Sequence, residues 1–138
     1  MQILREPLHY IRFHRVKSDR LLRLQEQWPV IETIIAEARN LNSREGRDEL
    51  SAQVNGMGLK EASHVLRNIG CRGLAIIDRH LLRCLVACSV IPEQVVVGSP
   101  KQYHAVENLF DQFSVKVGID MDELDLLFWS EIAGLILK

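Results

Sequence analysis

Apolar residues recur at intervals of three and four along most of this chain, and capping or helix-breaking residues separate the segments that carry them. This spacing places apolar side chains on one face of an α-helix, whereas a half-buried strand needs strict alternation. The predicted helical segments are 18–27, 30–40, 43–53, 59–69, 79–88, a segment from Ser99-Pro100 to just before Gly118, and a last helix after Asp120. The apolar run at 74–77 is too short to distinguish a strand from a helix. The predicted fold class is therefore all-α.

The length of the chain, 138 residues, is enough for one domain with a buried core, and we expect a single helical domain over 1–138. No apolar run reaches the roughly 18 residues of a membrane span. The N-terminus lacks the apolar core of a signal peptide. These features favour an intracellular protein.

Three cysteines, Cys71, Cys84 and Cys88, do not make a disulfide framework, because their number is odd. They also cannot supply the four thiolates of an iron–sulfur cluster. A zinc site would need help from His64 or His80. Packed free thiols are the favoured interpretation, and they fit a reducing compartment.

Two glycines flank one apolar residue at Gly56-Met57-Gly58, between two of the predicted helices. Glycine permits positive φ and allows another molecule to approach the backbone closely. The amides of Gly58, Leu59 and Lys60 then point out of a helix N-terminus, where they can bind a phosphate. Such a turn is typical of a helix-hairpin-helix clamp on a DNA backbone. The alternative is an ordinary turn between two helices.

Lys60 lies in the first turn of the helix that follows the glycines, where the helix dipole disfavours a cation. A position that disfavours the ammonium favours the free amine, which is the form that a nucleophilic lysine requires. Lys60 is therefore a candidate nucleophile. The alternative is a solvated surface lysine.

Asp78 follows Lys60 by 18 residues and occupies the expected N-cap position of the next helix. A capping carboxylate is held rigidly, so it can also stabilise a cation that develops nearby. The alternative is a cap with no further role. His80, two residues later, is either a phosphate donor at the same helix start or a surface histidine.

The segments 56–70 and 75–80 together resemble the archaeal-type 8-oxoguanine DNA glycosylase/AP lyases, a class of the helix-hairpin-helix DNA glycosylase superfamily. The hairpin, the lysine and the aspartate are shared across that superfamily. Lys-Glu-Ala-Ser-His, Ile-Asp-Arg-His and a chain that ends in lysine are similar to this class in particular. The similarity extends to 11–17, 123–129 and 134–138, so it covers about residues 11–138.

The resemblance implies a role for each matching position. Lys60 matches the nucleophile and Asp78 the catalytic aspartate. Trp129 matches an aromatic residue that stacks on the everted base, although its position alone favours a core aromatic. Lys138 matches a terminal residue whose end group helps to recognise the oxidised purine. The other implied contacts are Gly56, Met57, Gly58, Leu59 and His80 at the DNA backbone and His64 at the base pocket.

The implied activity is DNA repair by excision of 8-oxoguanine through a Schiff base, with β-elimination at the resulting site. A base inside a duplex is out of reach, so the damaged nucleotide must be flipped out. The implied partner is double-stranded DNA that contains oxidised guanine, in the cytoplasm or nucleoid. Neither a metal cofactor nor an iron–sulfur cluster is expected, and the resemblance is compatible with a monovalent cation bound at the hairpin.

Members of this class are longer at the N-terminus, so we expect a helix-hairpin-helix glycosylase fold that lacks part of its N-terminal domain. We expect the hairpin at about 44–70 and the catalytic aspartate segment at 74–88. Where the class tends to have Tyr and Thr near the end, this chain has Ser130 and Ala133. The alternatives are a non-catalytic DNA-binding module, an inactive truncated glycosylase, and a helical interaction protein with no nucleic-acid role.

The net charge of −1 gives no reason, taken as an average, to expect nucleic-acid binding. The charges are segregated, however. Residues 60–83 carry five basic and two acidic side chains, while 107–131 carry seven acidic and one basic. The hairpin end is therefore basic, and the average does not argue against DNA.

Overall fold

A computed structural model describes residues 13–133, apart from the side chains of Ile132 and Ala133. Within this range the chain forms seven α-helices and no strand, which confirms the all-α prediction. The helices are α1 (His14–Glu26), α2 (Trp28–Asn40), α3 (Ser43–Gln53), α4 (Leu59–Asn68), α5 (Arg79–Ala87), α6 (Pro100–Val117) and α7 (Met121–Ala133). None of the helices in the described range is long and apolar enough to cross a membrane.

The helix ends follow local signals. Pro29 lies in the first turn of α2, where its missing N–H is not needed, so this helix begins at Trp28, two residues before the predicted start. Asn42 caps α3, because its side chain accepts hydrogen bonds from two first-turn amides at 3.1 and 3.3 Å. The segment 74–77 is extended and connects α4 to α5.

The helices pack around two apolar clusters that meet at the extended segment. The first cluster contains Ile31, Ile34, Ala38, Leu50, Ala62, Leu66, Cys71 and Leu74. The second contains Ala75, Ile77, Leu81, Leu85, Ile91, Tyr103, Val106, Phe110, Met121 and Leu124. The hairpin helices α3 and α4 therefore pack in the first cluster, while α5, α6 and α7 pack in the second.

A buried ion pair joins the two clusters. Arg47 of α3 and Glu107 of α6 have side chains that are each 1% exposed, and their charged atoms approach to 2.6 Å. Glu107 also accepts the N–H of Ala75 at 2.9 Å. The Arg47 guanidinium lies 5.2 Å from the ring centre of Tyr103, a cation–π distance. A buried charge is tolerated only when it is paired in this way, so the pair defines how α3 and α6 meet.

Several apolar residues lie outside both clusters, contrary to the helical periodicity. In α1 no residue is buried, and Leu21 and Leu22 are exposed. Leu127 of α7 is also about half exposed. The three cysteines are free, and Cys71 is buried, but Cys88 is exposed. Packing of Cys88 was predicted wrongly because α5 ends one residue before it.

Candidate active site

The hairpin between α3 and α4 is a tight turn over 54–58. Gly56 has φ +83°, a left-handed conformation that favours glycine, and the guanidinium of Arg20 from α1 lies against it. The Ser51 hydroxyl donates a hydrogen bond to the carbonyl of Met57 at 3.1 Å. Gly58 is the N-cap of α4 and has no side chain to accept from the first-turn amides. The N–H groups of Leu59 and Lys60 therefore remain directed out of the helix start, as the sequence predicts, whereas the N–H of Gly58 is bound by the Glu61 carboxylate.

Lys60 is the second residue of α4, and its side chain is 47% exposed. Its Nζ lies 3.1 Å from Oε1 of Glu61. Burial acts to raise the pKa of Glu61, but hydrogen bonds from Lys60 and from backbone amides, including that of Gly58, lower this pKa overall. Glu61 is thus an ionised partner of the Lys60 ammonium. Sequence reasoning missed this partner, although an acidic residue in a first helical turn is a recognisable signal.

Asp78 is the N-cap of α5, as predicted. Its Oδ1 accepts the backbone N–H groups of both His80 and Leu81 at 2.8 Å. These two bonds fix the carboxylate at the helix start, and Oδ2 takes no part in them. The preceding residue, Ile77, is buried in the second cluster. The position of the carboxylate is therefore fixed by the buried residue before it and by the two hydrogen bonds after it.

One cavity brings the predicted catalytic and base-pocket residues together. Its volume is about 450 Å³, which is within the usual range of ligand pockets. Lys60 and Asp78 line it with Ile76, Leu81 and Phe128. The remaining lining residues are His64, Arg67, His80, Asp125, Leu126 and Trp129. Residues from three helices and from the extended segment thus meet at this cavity.

Trp129 lies at the edge of this cavity and is 55% exposed. It is not a core aromatic residue, so the interpretation that its position alone favoured is wrong. The neighbouring residue, Phe128, packs on Phe110 of α6 with ring centres 6.2 Å apart. This contact holds α7 in place and leaves the indole of Trp129 available at the cavity.

A second groove lies on the other side of Lys60 and Asp78. Its volume is about 870 Å³, and it includes Gly58, Leu59 and His80. The starts of α4, α5 and α6 all contribute to its lining. Each helix start carries a partial positive charge, which suits this groove to an anionic chain, although Asp78 and Ser99 already accept first-turn amides of α5 and α6.

The start of α5 adds basic side chains beside this groove. His80 Nδ1 lies 2.7 Å from Nη2 of Arg83, and its Nε2 accepts from Nε of Arg79 at 3.4 Å. Neither arginine of this cluster was a predicted site residue. The charge segregation in the sequence was the signal that pointed to this end of the chain.

Arg67 links α4, which carries the candidate nucleophile Lys60, to α7, which carries Trp129. It donates a hydrogen bond to the carboxylate of Asp125 and another to the backbone carbonyl of Asp122 at 2.9 Å. The Asp122 side chain in turn accepts the N–H of Gly73 at 2.9 Å. Burial raises the pKa of Asp125, although Arg67 acts to lower it. Sequence reasoning missed these acidic partners because they lie more than 50 residues from Arg67.

The remaining predicted residues have different positions. The Met57 side chain packs against the first cluster, so only its backbone is available at the hairpin. Lys138 lies outside the described residues. Within 13–133, no group of three or more His, Cys, Asp or Glu side chains is placed to hold a metal ion.

Comparisons with known proteins identify similar chains. Residues 2–119 match the family described as 8-oxoguanine DNA glycosylase. An 8-oxoguanine DNA glycosylase/AP lyase of Fusobacterium nucleatum is 40% identical over 137 residues, which are 96% of this chain and 63% of that protein. The corresponding protein of Korarchaeum cryptofilum is 34% identical over 127 residues, which are 92% of this chain and 60% of that protein.

A solved structure is similar in fold. It is the Methanocaldococcus jannaschii 8-oxoguanine glycosylase/lyase in complex with a 15mer DNA containing 8-oxoguanine, at 31% identity and a TM-score of 0.76. The match covers 94% of this chain and 61% of that one. It confirms the predicted helix-hairpin-helix glycosylase fold. The chain spans about three fifths of the length of the relatives that it matches.

Proposed function

The chain belongs to the 8-oxoguanine DNA glycosylase family, and we propose that it excises 8-oxoguanine from double-stranded DNA and then cleaves the strand as an AP lyase. The observation that carries this proposal is the shared cavity of Lys60 and Asp78, with Trp129 at its edge. A nucleophile, a fixed carboxylate and an exposed aromatic ring are the groups that such a reaction needs. The similar relatives are named for both activities, which supports the same pair of reactions here.

The cavity and the second groove suggest separate binding places for the base and for the DNA backbone. A flipped base enters the smaller cavity and stacks on Trp129, since an exposed indole offers a flat apolar face. The phosphates follow the second groove, where the Leu59 amide binds them and the basic start of α5 neutralises their charge. His64 borders the base, and we assign Lys138 to recognition of the oxidised purine.

The chemistry begins when Nζ of Lys60 attacks C1′ of the deoxyribose. The Nζ–C1′ bond forms while the bond from C1′ to the base breaks, and the base leaves with the electron pair and takes up a proton. Asp78 stabilises the positive charge that develops on the sugar. Lys60 attacks as a free amine, so its Nζ must separate from the Glu61 carboxylate when DNA binds.

The lyase step follows from the bond between Lys60 and the sugar. The Nζ lone pair forms a C=N bond as the C1′–O4′ bond breaks, and O4′ takes up a proton, which gives a Schiff base. The iminium carbon acidifies C2′, so a base removes a C2′ proton and the C3′–O3′ bond breaks. The 3′ phosphate leaves and the strand is cut.

We propose that this chemistry runs without a metal cofactor or an iron–sulfur cluster, since the lysine and the carboxylate supply the nucleophile and the charge. A monovalent cation at the hairpin carbonyls is compatible with this proposal. We propose that the protein acts where the DNA lies, in the cytoplasm or nucleoid.

The proposed function is tested with three duplexes that differ at one position, which holds 8-oxoguanine, guanine or an abasic site. We expect free 8-oxoguanine and a cut strand from the first, neither from the second, and a cut strand from the third. Folded protein that binds the duplexes in a salt-sensitive way without releasing base would instead favour the non-catalytic DNA-binding module.

Trp129→Ala is expected to slow the release of 8-oxoguanine about tenfold, because stacking on an aromatic side chain contributes about 1–3 kcal/mol per base. Cleavage at an abasic site is expected to stay unchanged, since no base is left to stack. Trp129→Phe should restore most of the base release. The matched control is Trp28→Ala, a half-exposed tryptophan of α2, which should leave both activities unchanged. Equal losses on both substrates would contradict a base-stacking role.

A further inference from the structure

Tyr103 of α6 is only 5% exposed, and its hydroxyl contacts both halves of the candidate active site. Oη donates to the carbonyl of Ala75 at 2.7 Å and accepts from the N–H of Ile77 at 3.4 Å. It also lies 3.3 Å from Oγ of Ser63 on α4. One hydroxyl therefore bridges the nucleophile helix and the extended segment that leads to Asp78.

The proton of this hydroxyl can be assigned from its partners. A phenol has one proton to donate, and the shortest contact, to the Ala75 carbonyl, takes it. Ser63 must then be the donor in its contact with Tyr103. Burial raises the pKa of Tyr103 despite the opposing hydrogen bonds from Ser63 and Ile77, so the phenol keeps its proton near neutral pH. The hydroxyl is thus fully used by protein groups.

The partners of Tyr103 are adjacent to the two catalytic candidates. Ser63 follows Lys60 by three residues, and side chains at this spacing are neighbours on a helix surface. Ile77 directly precedes Asp78. A shift of the hydroxyl would therefore change where α4 lies relative to the cap of α5.

Glu107 strengthens the same attachment from one turn further along α6. Its Oε1 accepts the N–H of Ala75 at 2.9 Å, while Tyr103 binds the carbonyl of that residue. Both polar groups of Ala75 are thus held by α6. Arg47 keeps Glu107 in place through the buried ion pair.

We propose that Tyr103 is a positioning residue, whose hydroxyl sets the distance between the Lys60 amine and the Asp78 carboxylate. The inference rests on the proposed function for its catalytic consequence, but the structural attachment can be measured without it. Tyr103 also forms part of the wall of the second groove. Its hydroxyl, however, is engaged with protein groups, so we assign it no substrate contact.

The test is Tyr103→Phe, which removes the hydroxyl and keeps the ring. Single-turnover release of 8-oxoguanine is expected to fall about tenfold or more, since small misplacements of reacting groups reduce rates by up to about 10²-fold. Binding of the same duplex should change less than about twofold, because the groove and cavity linings stay. Amide hydrogen exchange at Ile77, His80 and Leu81 should become faster, because the segment loses an anchor.

The matched control is Ser114→Ala, which removes another buried hydroxyl of α6. That hydroxyl donates only to Asp111 within the same helix, at 2.8 Å. This variant should keep wild-type excision and wild-type exchange at the cap of α5. Ser63→Ala removes the α4 arm alone and is expected to show the same pattern as Tyr103→Phe, so it gives the test if Tyr103→Phe does not fold.

Distinct outcomes separate this inference from the proposed function. Wild-type excision in Tyr103→Phe, or faster exchange spread evenly over all helices, would overturn the positioning role. A wild-type protein that releases no base would count against the proposed function. In that case, local exchange at Ile77, His80 and Leu81 still decides whether Tyr103 holds the segment before Asp78.

Discussion

Lys60→Gln is expected to lose both base release and strand cleavage, by about 10³-fold or more, because an amide nitrogen has no lone pair available to attack C1′. Glutamine has a similar stem and polarity, so DNA binding should weaken only slightly. The fold should be unaffected, since the side chain is half exposed and an exposed ion pair such as that with Glu61 contributes about 0–1 kcal/mol. The measurement is single-turnover cleavage of the 8-oxoguanine and abasic duplexes, with thermal unfolding as a check.

The matched control for this variant is Lys116→Gln, which changes an exposed lysine in the last turn of α6. Lys116 lines neither the cavity nor the second groove, so this variant should cleave DNA at the wild-type rate. Substantial cleavage by Lys60→Gln would show that another group is the nucleophile.

Asp78→Asn separates the helix-capping role of Asp78 from its proposed catalytic role. Asparagine is as good an N-cap as aspartate, so the amide oxygen can still accept from His80 and Leu81 and stability should stay unchanged. The negative charge is lost, however, and we expect base release to fall about 10²- to 10³-fold, as for the removal of other groups that stabilise developing charge. Single-turnover base release and urea unfolding measure the two effects.

Two further variants complete this comparison. Asp78→Ala removes both cap and charge, so it should lose activity and about 1 kcal/mol of the free energy of unfolding. Asn42→Ala removes the cap of α3 and should lose a similar free energy while activity is kept. Wild-type base release by Asp78→Asn would mean that Asp78 serves only as a cap.

Features that depend on neighbouring residues could be predicted from the sequence. The predicted helical segments match the seven helices of the described range, and the predicted ends lie within two residues of the observed ones except at the start of α1. Asp78 was recognised as a cap because an N-cap acts on amides two or three residues away. The approximate placement of Lys60 at a helix start followed from the same local reasoning.

Features that depend on distant residues could not be predicted in this way. Arg67 and Asp125 are 58 residues apart and meet only because α4 packs near α7. Glu107 lies on the apolar face of α6, between Tyr103 and Phe110, and its charge is buried there because it pairs with Arg47, which is 60 residues away in sequence. The hydrogen bonds of the Tyr103 hydroxyl could not be predicted for the same reason, because the aromatic ring fits the apolar stripe of α6 and the partners lie on distant segments.

Borohydride trapping of the wild-type chain on an 8-oxoguanine duplex tests the central claim most directly. Borohydride reduces a Schiff base to a stable amine, so a lysine that has bonded to C1′ stays attached to the DNA. Digestion and mass spectrometry of the adduct should locate the sugar on the peptide that contains Lys60. An adduct on a different lysine, or no adduct from folded protein that binds the duplex, would contradict catalysis by Lys60.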